Sequence, residues 1–181
     1  DDMSAFISFN GSQQGFKRID YFNYLENAAP GSDTAQATDW QNFLGGNAKA
    51  GCNYKLNDNM RVYASGGYFS KQPIFDNIFL NYVNDINPDA KNQTVTAAEA
   101  GYGYFDGKIN ASVNVYYTVW GNRQYDQSIL NDQGQDILYV FDGVSQTHSG
   151  LELELDAKIN KLLTLNAMAS LGNWVYSSDF T

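Results

Sequence analysis

His148 is the one histidine of the chain, so it is the first residue to consider as an acid, a base or a metal ligand. No serine or acid at motif spacing supports it, and it reads as a solvated histidine in a loop. Glu152, Glu154 and Asp156 could supply paired carboxylates for general acid and base work. They alternate strictly with Leu151, Leu153 and Leu155, which makes them one face of a strand. Asn131-Asp132-Gln133-Gly134-Gln135-Asp136 has the oxygen-rich look of a calcium loop, but it lacks the downstream bidentate glutamate, and it reads as a loop tip. Gly66, Gly67, Gly101 and Gly103 precede no helix and cannot cradle a nucleotide phosphate. They read as strand glycines that allow curvature or close packing. No catalytic, metal or cofactor-binding residue is expected, and the chain is not expected to be an enzyme.

The wider composition narrows the classes further. A single Cys52 excludes an internal disulfide and a cysteine-built zinc cluster. Eleven scattered Lys and Arg in a chain of net charge -9 form no basic stripe, so nucleic acid is not an expected partner. No run of about 18 to 20 apolar residues is present to make a transmembrane helix. A transmembrane barrel stays open, because its strands alternate lipid-facing apolar with lumen-facing polar residues and keep the mean hydropathy low, here -0.43. The opening Asp1-Asp2-Met3 has no charged n-region followed by an apolar h-region, so any secretory signal is expected to lie outside these residues.

Three hairpins carry the elements that hold these residues. In Thr94 to Trp120, the apolar set Ile109, Ala111, Val113, Val115, Tyr117 and Val119 alternates with Lys108, Asn110, Ser112, Asn114, Tyr116 and Thr118. Asp106-Gly107 predicts a type I′ turn that pairs Phe105 with Lys108 and sets Tyr104 opposite Ile109. In Leu44 to Ser70, a three-residue turn at Asn57-Asp58-Asn59 pairs Leu56 with Met60. That places Ala48, Ala50, Cys52, Tyr54, Met60, Val62, Ala64 and Tyr68 on one apolar face. In the third hairpin a two-residue turn would throw Thr164 and Asn166 among the leucines, so Asn160-Lys161-Leu162 is the predicted turn. A first pair, Met3 to Asn10 and Phe16 to Leu25, is joined by Gly11-Ser12-Gln13-Gln14-Gly15.

Between these tight turns lie long segments: Glu26 to Asn42, Lys71 to Gln93 and Gly121 to Ser149. Short turns at one end and long polar loops at the other are the plan of an outer-membrane barrel, and strands of about ten residues suit a tilted bilayer crossing. On this plan the first of eight strands descends to the periplasm and the eighth ascends. The fold expected is all-β: an antiparallel up-and-down transmembrane β-barrel, about eight strands of a larger barrel. Tyr54, Tyr68, Tyr104, Tyr117 and Trp174 serve either as interface girdle or as simple strand formers.

Four segments resemble the barrels of TonB-dependent receptors: Tyr54 to Ala64, Asn87 to Gln93, Glu99 to Tyr104, and Ser149 to Glu154. Their order matches the family's, and the likeness covers the chain from about Phe43 onward. The resemblance implies a nutrient-uptake receptor of a Gram-negative outer membrane, performing active transport of a scarce solute. It also implies that residues 1–181 are a partial β-barrel domain, roughly a third of a wall of about 22 strands, whose plug domain is not in this chain. The partners implied are the lipid bilayer, the TonB complex through the missing N-terminal region, and in some members a surface lipoprotein. Family members hold ligand on outer loops and plug apices. By location, Phe75, Asp76, Asn77, Tyr82, Tyr125, Asp126, Tyr139 and Phe141 are then the ligand-binding residues expected here. The alternative is a complete small eight-stranded structural or adhesive outer-membrane barrel. Against it, the chain runs past Trp174-Val175-Tyr176 into a further loop-like segment, so truncation is the expectation.

Overall fold

The computed structural model describes residues 2–21, 36–80, 84–134 and 136–177. Seven long strands form one antiparallel sheet in chain order: β1 Met3–Phe16, β2 Gln41–Lys55, β3 Met60–Lys71, β4 Gln93–Phe105, β5 Ile109–Leu130, β6 Asp136–Lys158 and β7 Thr164–Tyr176. Each strand pairs with its sequence neighbours, and β1 and β7 are the two edges. The closed ring of eight that a small barrel requires is not formed among the described residues.

Register places one unbroken apolar row across all seven strands: Ala5, Cys52, Ala64, Ala100, Val115, Leu151 and Leu171 are successive partners. Because side chains alternate faces, the residues between them form the opposite face, which carries Lys49, Arg61, Glu99, Glu152, Glu154 and Asp156. The apolar face suits lipid and the polar face a lumen. Tyr54, Tyr68, Tyr104 and Tyr117 share the lipid face and suit an interface girdle. Trp174 pairs with His148 on the lumen side, so its place is not in that girdle.

Two of the three predicted turns have the predicted register. Leu56 N donates to Met60 O at 2.8 Å and Ile159 N to Leu163 O at 3.0 Å. Each turn is braced by its leading asparagine: Asn57 Oδ1 accepts from Asn59 N at 2.9 Å, and Asn160 Oδ1 from Leu162 N at 2.8 Å. The Asp106 turn differs from expectation. Phe105 faces Asn110, and Tyr104 faces Ala111 rather than Ile109. The Asp106 side chain explains the displacement, since its Oδ1 accepts from both Lys108 N at 2.7 Å and Ile109 N at 2.6 Å. That use of the carboxylate puts Asp106 before the turn and Gly107-Lys108 within it. Gly107 is not among the positive-φ residues that a type I′ turn needs. The slip is by two residues, an even number, so every side chain keeps its expected face.

Two other expectations are corrected. Gly11 to Gly15 is not a turn: β1 runs through it to Phe16 and pairs along its whole length with β2. A continuous partner satisfies these backbone groups better than a local loop would. The sheet therefore has seven strands and not eight, and β1 ascends where a descent was expected. Ile19–Asp20 pairs with Gln36–Ala37, and the rest of the predicted second strand and first loop, 22–35, lies outside the described residues. Gly121 to Ser149 is likewise no loop. β5 and β6 continue as strands of 22 and 23 residues, with a tip that includes 131–134 between them. A tilted crossing uses about 9 to 11 residues, so this hairpin projects well beyond the bilayer.

Glycines keep the lumen face flat. Phe6, Tyr63 and Tyr116 lie over their cross-strand partners Gly51, Gly101 and Gly150, where any Cβ would meet the ring. Burial is concentrated elsewhere, in Asn77, Ile78, Phe79, Asn87, Val144 and Gln146 at the loop end. The chain exposes 12760 Å², whereas a compact protein of its mass would expose about 8,800 Å². The wall is thus a surface to be covered by lipid and lumen contents, not a core of its own.

Val115→Arg, on the lipid face, is expected to cost about 2–4 kcal/mol in bilayer-reconstituted protein, and Ser112→Arg, on the lumen face, much less. Equilibrium unfolding in liposomes measures both. At the turn, hydrogen bonds from Ile109 N, Lys108 N and Tyr104 hold the Asp106 carboxyl below its ordinary value of 3.8. Its contribution to stability is complete above that value and is lost as pH falls through the lower folded-state value. Asp106→Ala should therefore lower the unfolding temperature at neutral pH, and the gap to wild type should close on acidification.

Candidate functional site

Above the wall, the segment after β3 folds back onto the projecting β5–β6 hairpin. A helical turn, Phe75–Ile78, is followed by the short antiparallel pair of Phe79–Leu80 with Asp85–Ile86. Ile78 and Phe79 are 0% and 1% exposed, and Phe75 stacks on Phe79 at 4.8 Å. These apolar contacts drive the fold-back, and asparagines hold it in place. Asn87 Nδ2 donates to Asn77 O at 3.0 Å and to Asp142 Oδ2 at 2.9 Å. Asn77 Nδ2 donates to Gln124 Oε1 at 2.6 Å. Lower down, Asn92 Nδ2 reaches Leu44 O at 2.6 Å and Ser70 Oγ at 2.8 Å. Asn122, the one described non-glycine residue with positive φ (52°), donates through Nδ2 to Asn92 O at 3.3 Å. Asparagine tolerates that left-handed backbone better than most residues.

The hairpin is bent where β6 slips register around Val144, beside Gly143 with φ 76°. Such a bulge re-aims the side chains beyond it. Next to it, Arg123 lies over the rings of Trp120 at 5.1 Å and Tyr125 at 5.0 Å, and donates to Gln146 Oε1. Gln146 Nε2 in turn donates to the Tyr125 hydroxyl at 2.9 Å. Burial, the largest influence, pushes the Tyr125 phenol above its ordinary value.

Among the residues expected to approach ligand, Tyr125 and Phe141 are direct cross-strand partners, and Asn77 is tied to Gln124 beside them. Phe75 is 38% exposed and Asp76 is exposed on the same helical turn. Asn77 is only 1% exposed and acts as a brace for the loop. Asp126 and Tyr139 fall in β5 and β6, their side chains outside the described residues, as is all of Tyr82. His148 is not in a loop: it sits in β6 between Trp120 and Trp174, with ring centroids 6.5 and 6.0 Å away. The expectation failed because the strand was begun at Leu151 and everything up to Ser149 was read as loop, whereas β6 starts at Asp136. Trp120, Arg123 and Gln146 were not expected. Continuing the alternation of Glu152 and Glu154 upstream would have put Gln146 and His148 on the lumen face.

A meander with one lipid-facing side, tight turns at one end and folded loops at the other defines the wall of an outer-membrane β-barrel. The chain belongs to the TonB dependent receptor-like β-barrel family, whose model matches residues 15–181. That family consists of receptors of the Gram-negative outer membrane and not of enzymes. No curated protein is similar enough to match. Among solved structures, the copper transporter OprC is 16% identical over 99% of this chain and 27% of that one, with a TM-score of 0.76. The ferric-catecholate import receptor Fiu from E. coli K12 is 16% identical over 97% of this chain and 26% of that one, at 0.57. The FrpB iron transporter from Neisseria meningitidis (F3-3 variant) is 14% identical over 78% of this chain and 21% of that one, at 0.56. The chain thus spans about a quarter of the length of these structures, and at such identities the likeness is one of fold.

Asn87→Ala leaves the Asn77 carbonyl and the Asp142 carboxylate without their shared donor. It should loosen the segment between β3 and β4 by about 1–3 kcal/mol while sparing the wall. Hydrogen exchange should show faster amides at Asn77 and Asn87 and unchanged rates in β3 and β4.

Proposed function

We propose that this wall is part of a TonB-dependent receptor that captures a scarce solute on its outer loops and imports it across the outer membrane. The observation that carries the reading is the division of the molecule: a two-faced, thin wall below and a separately packed loop assembly above. A wall that only sealed the bilayer would have no use for a buried, hydrogen-bonded cluster projecting beyond it. Family membership supports the energised mechanism, in which work from the inner-membrane TonB complex reaches the barrel through an N-terminal plug. The lumen face supports the presence of an occupant: Lys49, Lys55 and Arg61 on β2 and β3, and Glu152, Glu154 and Asp156 on β6, offer charges of both signs to a polar partner. A surface lipoprotein is a further partner compatible with the exposed loops.

On this reading Phe75, Asp76, Tyr125 and Phe141 approach the solute, and Tyr82, Asp126 and Tyr139 join them from the same loops. Asn77 serves by holding the helical turn. The similar structures are named for different cargoes, copper, iron and ferric catecholate. The cargo is therefore left to experiment.

The test is uptake by the source bacterium from media limited in turn for iron chelates, copper, cobalamin and glycans. Deleting the receptor gene and deleting TonB should each abolish high-affinity uptake of the same solute. Tyr125→Ala should raise the concentration for half-maximal uptake about tenfold, equivalent to about 1.4 kcal/mol, at unchanged receptor abundance. Uptake of every solute that is indifferent to both deletions would overturn the proposal.

A further inference from the structure

A strip of rings crosses the lumen face at its outer end. Trp120 on β5, His148 on β6 and Trp174 on β7 follow one another at 6.5 and 6.0 Å, their planes tilted by 48° and 45°. Trp174 Nε1 donates to the Tyr116 hydroxyl at 3.1 Å, which extends the strip along β5. Tyr116 can lie there because Gly150 has no side chain: a Cβ at that position would come within 2.6 Å of the Tyr116 ring and 2.7 Å of Leu171 O. Trp174 lies over Gly172 in the same way, 3.1 Å from where a Cβ would stand. Trp174 stands on the edge strand β7 and pairs with His148 on the lumen side of the sheet.

Arg123 closes the outer end of the strip. Its guanidinium lies over Trp120 and Tyr125 and is held by the Gln146 carbonyl, all of them neutral partners. Among the described residues it has no ion-pair partner, in a chain whose net charge is -9. Neutral contacts orient a guanidinium without cancelling its charge, and its planar fork is suited to a carboxylate. Along β6 the carboxylate nearest in sequence to Val144, the partner of Arg123, is Asp142, which accepts from Asn87 Nδ2 at 2.9 Å; down the strand the next is Glu152, four residues from His148 and so roughly 13 Å from it. The strip itself presents ring faces, hydroxyls and one cation. A neutral saccharide would need carboxylate or amide acceptors beside the rings, and Gln146, the one such side chain here, is spent on Arg123 and Tyr125.

We infer that Trp120, Arg123, His148 and Trp174 form a binding subsite for an anionic arene, whose planar ring lies on the indole and imidazole faces while its carboxylate meets Arg123. Stacking on aromatic faces is worth about 0.5–1.5 kcal/mol per ring pair beyond area burial, so the rings hold the ligand and the charge selects it. The position, on the lumen face just below the projecting hairpin, lies on the path from the outer loops into the barrel. The inference rests on the receptor reading above and adds a ligand class to it.

The test uses the intact receptor purified in detergent, with 2-naphthoate as probe and 2-naphthylmethanol as its neutral twin, followed by tryptophan fluorescence and calorimetry. Naphthoate should bind at least tenfold more tightly than the alcohol. Arg123→Gln should remove that preference and leave the alcohol unaffected, and Arg123→Lys should keep part of it. Trp174→Ala, on the edge strand β7, should weaken both probes several-fold, and it carries the test if Arg123→Gln does not fold. Equal affinity for the two probes, no binding of naphthoate, or indifference to both substitutions would overturn the subsite. The measurement needs no TonB: a receptor that imports its solute yet ignores naphthoate refutes only the subsite, and one that binds naphthoate without energised uptake refutes only the transport reading.

Discussion

A strand in lipid has nowhere to place its backbone N–H and C=O groups except on a neighbouring strand, because the hydrocarbon core holds no water to take them. The rest of this structure follows from that constraint. Each strand is as long as its partners allow, and β1 continues straight through the glycines at 11 and 15 because β2 pairs with it throughout. Once pairing is continuous, side chains must alternate between the faces, and the two faces meet different solvents. The row from Ala5 to Leu171 can be uniformly apolar because lipid covers it. Glu99 and Glu152 can stand one residue away from it because they face the lumen and not lipid.

The same constraint explains why the wall has almost no interior. With one face towards lipid and the other towards a lumen, a single sheet buries little against itself. The buried side chains gather where the chain leaves the bilayer and packs on itself, around Ile78, Phe79 and Val144. Asparagine suits that region because a loop leaves backbone carbonyls unpaired and an amide can donate to two acceptors at once, as Asn87 does to Asn77 and Asp142. The wall thus carries a loop assembly whose stability is set by a different set of contacts, and ligand-facing residues can vary there without disturbing the strands.

Alternation and turn chemistry were legible in the residues one by one. Leu151 to Ile159 against Leu163 to Leu171 admits only one turn that keeps both apolar sets together, and the structure has that turn. At Asp106 the parity of the pairing was legible and its offset was not. The face assignment depends on whether the slip is odd or even, whereas the offset depends on which backbone amides the carboxylate captures. The first hairpin was misread because glycines mark turns and flat strand segments alike, and only the neighbouring strand distinguishes them.

By itself, then, the sequence determined the all-β class, the two faces and the short turns, since those follow from a period of two and from side chains that hydrogen-bond to their own backbone. Tertiary structure decided what depends on residues distant in sequence. It extended β5 and β6 beyond the membrane, packed the segment after β3 against them, and brought Trp120, Arg123, His148 and Trp174 into one strip. No local pattern links those four residues. They meet because adjacent strands in register bring together residues tens of positions apart, and because glycines such as Gly150 leave room for a ring to lie flat between them.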